Sequence, residues 1–229
     1  MPVIRAIVTD IEGTTSSLSF VKDVLFPYSR ARLADFVDRH QDDPEVVAIL
    51  DQVREQAGQG QDVAGVVAQL IRWLDEDRKI GPLKALQGVI WENGYRQNDF
   101  TGHVYEDAVR KLRQWHDQGV RLYVFSSGSV KAQQLLFGHT EFGDLTPLFA
   151  GYFDTRIGAK GETAAYRHIC EETGLAAGEM LFLSDVTAEL DAAAAVGFHT
   201  LQLVREGGVD GGQHRQVTDF DEISLNEAG

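Results

Sequence analysis

Apolar positions along the chain gather in short runs separated by longer amphipathic stretches. Residues 4–9 are apolar and β-branched and lead into Asp10 and then Gly13, the form of a buried strand that feeds a loop. Residues 120–125, 180–183 and 199–204 repeat that form, and strands apolar on both faces belong to a parallel sheet. Helical periodicities lie between them, over 105–118, 130–137, 162–173 and 187–196. Strand and helix in alternation imply right-handed crossovers and a layered α/β fold.

The stretch 19–98 breaks this rhythm, with several helical periodicities and no convincing strand. It predicts an inserted helical domain, leaving 1–18 and 99–229 to form the α/β core. Val66, Val67, Leu70, Ile71 and Leu74 mark the apolar face of one helix in it, and Leu83, Leu86 and Ile90 that of another. Pro27 is expected to end or kink the first helix, because it has no N–H and its ring crowds the preceding turn. The Gly-rich stretch 206–212 follows the last apolar run and precedes no clear helix. It reads as a mobile loop rather than a phosphate cradle.

Composition narrows the function. The chain has 229 residues with 21 Lys and Arg against 35 Asp and Glu, a net charge of −14. Nucleic acid is held mainly by cationic contacts to phosphate, so such a partner is not expected. No apolar run exceeds strand length, and the opening MPVIRAIVTD lacks the regions of a secretion signal. The expectation is a cytoplasmic protein with no membrane span. Cys170 is the single cysteine and shares a helical face with Ala165 and Ile169, which suits the core rather than chemistry. The seven histidines form neither HExxH nor a Cys/His cluster, so a protein-ligated zinc is not expected.

Candidate chemistry sits at four places, each at or just past a predicted strand end, where open α/β sheets bind ligands. The first is Asp10-Ile11-Glu12-Gly13-Thr14-Thr15, with two acids one residue apart; Asp10 and Thr14 could equally organise a turn. The second is Ser126-Ser127-Gly128-Ser129. Hydroxyls and exposed amides before a helix suit an anion such as phosphate, or a plain serine cap, and the spacing does not fit the GxSxG elbow of serine hydrolases. The third is Lys160, on a loop before a helix, able to neutralise phosphate or simply to be solvated. The fourth is Asp185 in Ser184-Asp185-Val186-Thr187, with Glu189 one helical turn on; either acid could be a ligand, and Asp185 could instead cap the next helix.

The order acid pair, serine, lysine, acid, with a helical insertion after the first element, is similar to the four motifs of the haloacid dehalogenase superfamily of phosphohydrolases. Most phosphatases of that superfamily carry Asp where this chain has Glu12. That departure, together with Ser126-Ser127-Gly128-Ser129 through Leu135-Leu136-Phe137-Gly138-His139 and with Ser184-Asp185-Val186-Thr187, resembles the acireductone-forming enolase-phosphatases of methionine salvage. The resemblance covers nearly the whole chain. It implies a Rossmann-like parallel-sheet core with an inserted helical cap. It also implies a small phosphorylated diketone, 2,3-diketo-5-methylthiopentyl-1-phosphate, as substrate, Mg²⁺ as cofactor and a monomer.

Site roles follow from the same resemblance. Asp10 is the nucleophile and a metal ligand, the Glu12 backbone carbonyl and Asp185 complete the protein ligation, Ser126 and Ser127 bind phosphate, and Lys160 balances charge between Asp10 and phosphate. Glu12 is assigned proton transfer; the enolisation base stays open among Glu12, Lys160 and a cap residue. Three alternatives compete: a dehalogenase, which needs no metal ligand at Asp185; another Mg-dependent phosphatase or phosphomutase of the superfamily; and a phosphate-binding interaction module without turnover.

Overall fold

The computed structural model describes residues 3–58, 62–205 and 213–225. In chain order the elements are strand β1 (Ala6–Thr9), a π-helical turn (Phe20–Leu25), and helices α1 (Phe26–His40), α2 (Pro44–Ala57), α3 (Val63–Asp75), α4 (Gly81–Gln97) and α5 (Glu106–Asp117). Then come β2 (Arg121–Phe125), α6 (Val130–Gly138), β3 (Phe149–Phe153), α7 (Thr163–Thr173), β4 (Met180–Ser184), α8 (Thr187–Ala194), β5 (His199–Leu203) and β6 (Gln216–Val217). The chain divides into two compact units, Met1–Leu18 with Thr101–Gly229, and Ser19–Phe100.

The first unit is built on one sheet in the order β3-β2-β1-β4-β5-β6. Every pair is parallel. Both faces of the central strands are covered, which explains their unbroken apolar text: all four residues of β1 and all five of β4 are buried. One face packs Ala6, Val8, Phe125 and Phe182 against Tyr166, Ile169, Leu190 and Phe198. The Cys170 side chain packs at the margin of that cluster, next to the buried Ala165 and Ile169. Two strands lie outside the sequence expectation, and they are the edges of the sheet. β3 is only partly buried over its last three residues, and β6 is two residues long, so neither needs the two-sided apolar pattern that marks a central strand. The Gly-rich stretch 206–212 lies outside the described residues.

The second unit is a helical cluster with a core of its own. Leu33 and Val37 of α1, Ile49 and Val53 of α2, Val66, Leu70 and Trp73 of α3, and Leu83, Leu86 and Ile90 of α4 form one buried group. Val67, Ile71 and Leu74 pack at its edge. Helix starts are capped by side chains: Asp43 accepts from the Glu45 N–H with Pro44 in the first turn, and Asp62 accepts from the Gly65 N–H. Pro27 lies where the π-helical turn Phe20–Leu25 gives way to α1, in the first turn of the new helix, a change of helical register that suits a residue without an N–H. The unit runs to Phe100 rather than to 98. Asn98 closes α4 in the left-handed conformation (φ 56°), and Phe100 then folds edge-on against Tyr28 and Tyr95. Among the described residues, no helix is long and apolar enough to cross a membrane.

Candidate active site

The sheet order changes direction at β1, so the loops leaving β1 and β4 part company and open a crevice at their C-terminal ends. Thr9 pairs with both Val124 and Leu183. Asp10, Ser126 and Asp185 therefore leave the sheet at nearly the same level on three adjacent strands. Residues 59 to 175 apart in the sequence meet there because the register is set by the apolar strands beneath them.

Asp10 is 2% exposed, and its Oδ1 accepts from Lys160 Nζ at 2.7 Å. The same ammonium reaches Glu189 Oε2 at 2.9 Å, and Glu189 also accepts from the Ser184 hydroxyl at 2.8 Å. Lys160 and Glu189 are themselves only 10% and 13% exposed at the side chain. The Lys160 loop is tied down by Tyr166, whose hydroxyl donates to the Lys160 carbonyl at 2.7 Å. Burial pushes the Asp10 carboxyl up to about 7; Lys160 pulls against this, while Glu189 and Glu12 add to it. Burial alone would lower the Lys160 ammonium, but Asp10 and Glu189 outweigh it and hold the group above its ordinary value. Glu189, whose role the sequence leaves open, is thus the second carboxylate on the buried lysine.

Glu12 and Gly13 lie in a tight loop. The Gly13 N–H donates to the Ser16 carbonyl, the Ser16 N–H donates to the Ile11 carbonyl, each at 2.8 Å, and the Thr15 hydroxyl donates to the Asp10 carbonyl at 3.1 Å. Gly13 has φ +77°, and a β-carbon on it would lie 2.7 Å from Asp185 Cγ and closer still to Oδ2. Only glycine allows this approach. Asp185 Oδ1 is buried with no hydrogen-bond partner among the described residues. Burial raises its carboxyl pKa, with Lys160 opposing and Glu189 and Glu12 reinforcing the rise.

On the other side of β1, Ser126 is buried and its Oγ accepts from the Gly128 N–H at 3.1 Å, which leaves the hydroxyl proton for another acceptor. Ser129 caps α6 by accepting from the Ala132 N–H. The loop is braced by groups that sequence reasoning did not single out. Buried Gln133 donates to the carbonyls of Gly128 and Phe153, each at 2.8 Å, and Asp154 accepts from the Val130 N–H at 3.2 Å. A phosphate oxygen placed over this loop would meet a hydroxyl and helix N-terminal amides.

An oxygen-only set of Asp10, the Glu12 carbonyl and Asp185 is the donor chemistry of Mg²⁺, and the orphaned Asp185 Oδ1 fits such an ion, since a buried carboxylate oxygen without a partner is costly. Among the described residues, no group of three His, Cys, Asp or Glu side chains is arranged to hold a metal. A site here would use two carboxylates and a backbone carbonyl.

A parallel sheet that delivers a lysine-paired aspartate, a hydroxyl loop and a second acid to one edge defines a phosphohydrolase-type α/β class. Residues 4–197 match the haloacid dehalogenase-like hydrolases, and the chain belongs to that family. Within it, the chain is 64% identical over 222 residues to Enolase-phosphatase E1 of Methylococcus capsulatus, covering 96% of this chain and 98% of the relative. It is 55% identical to Enolase-phosphatase E1 of Serratia proteamaculans over 98% and 99% of the two chains. Among solved structures it is similar to the UTR4 protein of Saccharomyces cerevisiae, with TM-score 0.83, 34% identity and coverage of 96% and 100%. CbbY of Rhodobacter sphaeroides, solved with phosphate, shares the fold at TM-score 0.60 and 16% identity over 96% of each chain.

Proposed function

We propose that this chain is the bifunctional enolase-phosphatase that converts 2,3-diketo-5-methylthiopentyl-1-phosphate into the acireductone 1,2-dihydroxy-3-keto-5-methylthiopentene and phosphate, in methionine salvage. The observation that carries the reading is the buried Asp10–Lys160–Glu189 cluster beside the orphaned Asp185 oxygen, in a chain 64% identical to an enolase-phosphatase over nearly its full length.

Asp10 attacks phosphorus and the ester oxygen leaves, so the phosphoryl group is carried as an aspartyl-phosphate that water then hydrolyses. Lys160 opposes the burial that raises the Asp10 carboxyl and offsets the charge of the arriving phosphate. Ser126 and Ser127 hold phosphate oxygens at the mouth of α6. Enolisation precedes transfer: a base takes a proton from the phosphate-bearing carbon, and the neighbouring ketone oxygen gains one. Glu12 carries proton transfer, its carboxyl being close enough to raise the pKa of both Asp10 and Asp185. Asp10, the Glu12 carbonyl and Asp185 would hold Mg²⁺, which when bound would supply Lewis-acid neutralisation of negative charge at the phosphate and the ketone oxygen. The inserted unit takes the part of the family's cap. A cytoplasmic monomer completes the reading.

The test mixes the purified protein with the diketo phosphate under anaerobic conditions, with and without Mg²⁺, while enediol absorbance and free phosphate are followed. Mg²⁺-dependent absorbance with stoichiometric phosphate, both lost in Asp10→Asn, is the expected result. Phosphate released only from other esters would leave the fold and nucleophile standing and overturn the substrate.

A further inference from the structure

We propose that Arg205 is a positioning residue for the loop that carries Asp10 and Glu12, and that Asp107 orients it. The proposal rests on the reading of Asp10 as nucleophile. Arg205 lies just past β5, far in sequence from either acid.

The nucleophile loop is fastened from outside itself at Thr14, Thr15 and Ser17. Arg205 Nε donates to the Thr14 carbonyl at 3.0 Å, the Tyr105 N–H donates to the Thr15 carbonyl at 2.9 Å, and the Ser17 N–H donates to His103 Nδ1 at 3.1 Å. Two of the three fasteners come from the segment leading into α5. Arg205 is the third and the only charged one, and its side chain is 8% exposed.

The placement of that guanidinium is over-determined. Nη1 pairs with Asp107 Oδ2 at 2.8 Å, and the same carboxylate oxygen accepts from the Phe220 N–H at 2.8 Å. The guanidinium carbon lies 4.1 Å from the centre of the Tyr105 ring and 5.2 Å from that of Phe220. Two ring contacts and a carboxylate hold one planar group. Nη2 is buried and has no hydrogen-bond partner among the described residues. Surrendering water at that arm opposes folding, and the structure tolerates it to keep Nε aimed at a single carbonyl.

That carbonyl belongs to the residue after Gly13, which lies against Asp185. Displacement of the Thr14 carbonyl would shift the Thr14 Cα to which Gly13 is joined through the next peptide, and so change the separation of the Glu12 and Asp185 sides of the crevice. Catalytic geometry is sensitive near 1 Å, so the fork sets the rate without touching substrate. Lysine cannot replace it: one ammonium lacks the planar two-armed geometry that serves Thr14 and Asp107 together.

The test measures phosphate release from the diketo phosphate at saturating Mg²⁺ in Arg205→Lys, Arg205→Ala and Asp107→Asn, with thermal unfolding and near-UV dichroism recorded for each. Arg205→Lys should lower kcat by about 10- to 100-fold while KM stays close to that of the unaltered protein, because no substrate contact is removed. Asp107→Asn should show a smaller loss of the same kind. Low-millimolar guanidinium should restore part of the kcat of Arg205→Ala without shifting its unfolding midpoint. Unchanged kcat in Arg205→Lys overturns the proposal, as does a loss fully accounted for by a lower folded fraction. If the Arg205 variants do not fold, Asp107→Asn decides, and unchanged kcat there overturns it. Asp10→Asn is run beside them: phosphate release by that variant would refute the nucleophile assignment, whereas its inactivity alongside a fully active Arg205→Lys refutes the Arg205 role alone.

Discussion

Replacing Gly13 by alanine tests the crevice with one methyl group. Gly13 has φ +77°, and an L-residue in the left-handed region costs roughly 1–2 kcal/mol. The new β-carbon would stand 2.7 Å from Asp185 Cγ and 3.3 Å from its Cβ, where ordinary contact begins near 3.4 Å. The two groups must therefore part by about 0.7 Å or more, since overlap is repelled steeply. Asp185 cannot retreat freely, because Gln202 Nε2 holds its carbonyl at 3.1 Å. Strain alone should lower the unfolding midpoint by roughly 2–8 °C for a chain of this size. Displacement of Asp185 should lower kcat by about 10²-fold and raise the Mg²⁺ concentration needed for half-maximal phosphate release. The assay is a Mg²⁺ titration of phosphate release at saturating substrate, paired with thermal unfolding. An alanine variant with unaltered kcat and unaltered Mg²⁺ dependence would refute the close approach of Gly13 to Asp185 as a functional constraint.

Two further outcomes follow from the buried charges. Lys160→Met leaves Asp10 and Glu189 without the ammonium between them, and should lose phosphate release together with about 3–5 kcal/mol of stability at neutral pH; because the buried Asp10 carboxyl then takes up a proton as pH falls, the deficit should shrink from about pH 8 to about pH 5, and equal deficits in urea unfolding at both values would contradict this. In metal-free protein, the Asp10 carboxyl is raised from 3.8 to about 7, so its contribution to stability is present below about pH 4 and lost as pH rises through about 7. Scanning calorimetry with chelator should show that decline, Asp10→Asn should remove it, and Mg²⁺ should raise the midpoint more at about pH 8 than at about pH 5; a Mg²⁺ effect independent of pH would count against a carboxylate-bound ion.

Much of the fold was legible because it depends on burial. Central strands enclosed on both faces are largely apolar, so β1, β2, β4 and β5 stand out as short apolar runs, whereas the edge strands β3 and β6 do not. The inserted helices show through their own apolar faces. Pro27 shows through its missing N–H, which marks the place where the first helical turn ends and α1 begins, though that the turn before it is π-helical is decided by the fold. At the site, Asp10, Glu12, Ser126 and Asp185 are readable as polar residues at strand ends, and Lys160 as a cation on a loop before a helix. Gln133, Asp154 and Arg205 are not, because a buried side chain that braces a loop has no signature apart from the partners it meets.

The alternation of elements, the inserted helical stretch and the residue types offered to chemistry are local matters of apolar period, turn residues and strand ends, and are written in the chain directly. Tertiary structure alone decided that Lys160 would bridge Asp10 and Glu189, that Gly13 would lie against Asp185, and that Arg205 would hold the Thr14 carbonyl. Those contacts join positions up to 191 residues apart. They depend on parallel register and on burial, which strengthens electrostatic interactions and penalises every unpaired charge, and neither is a property of any stretch of chain taken alone.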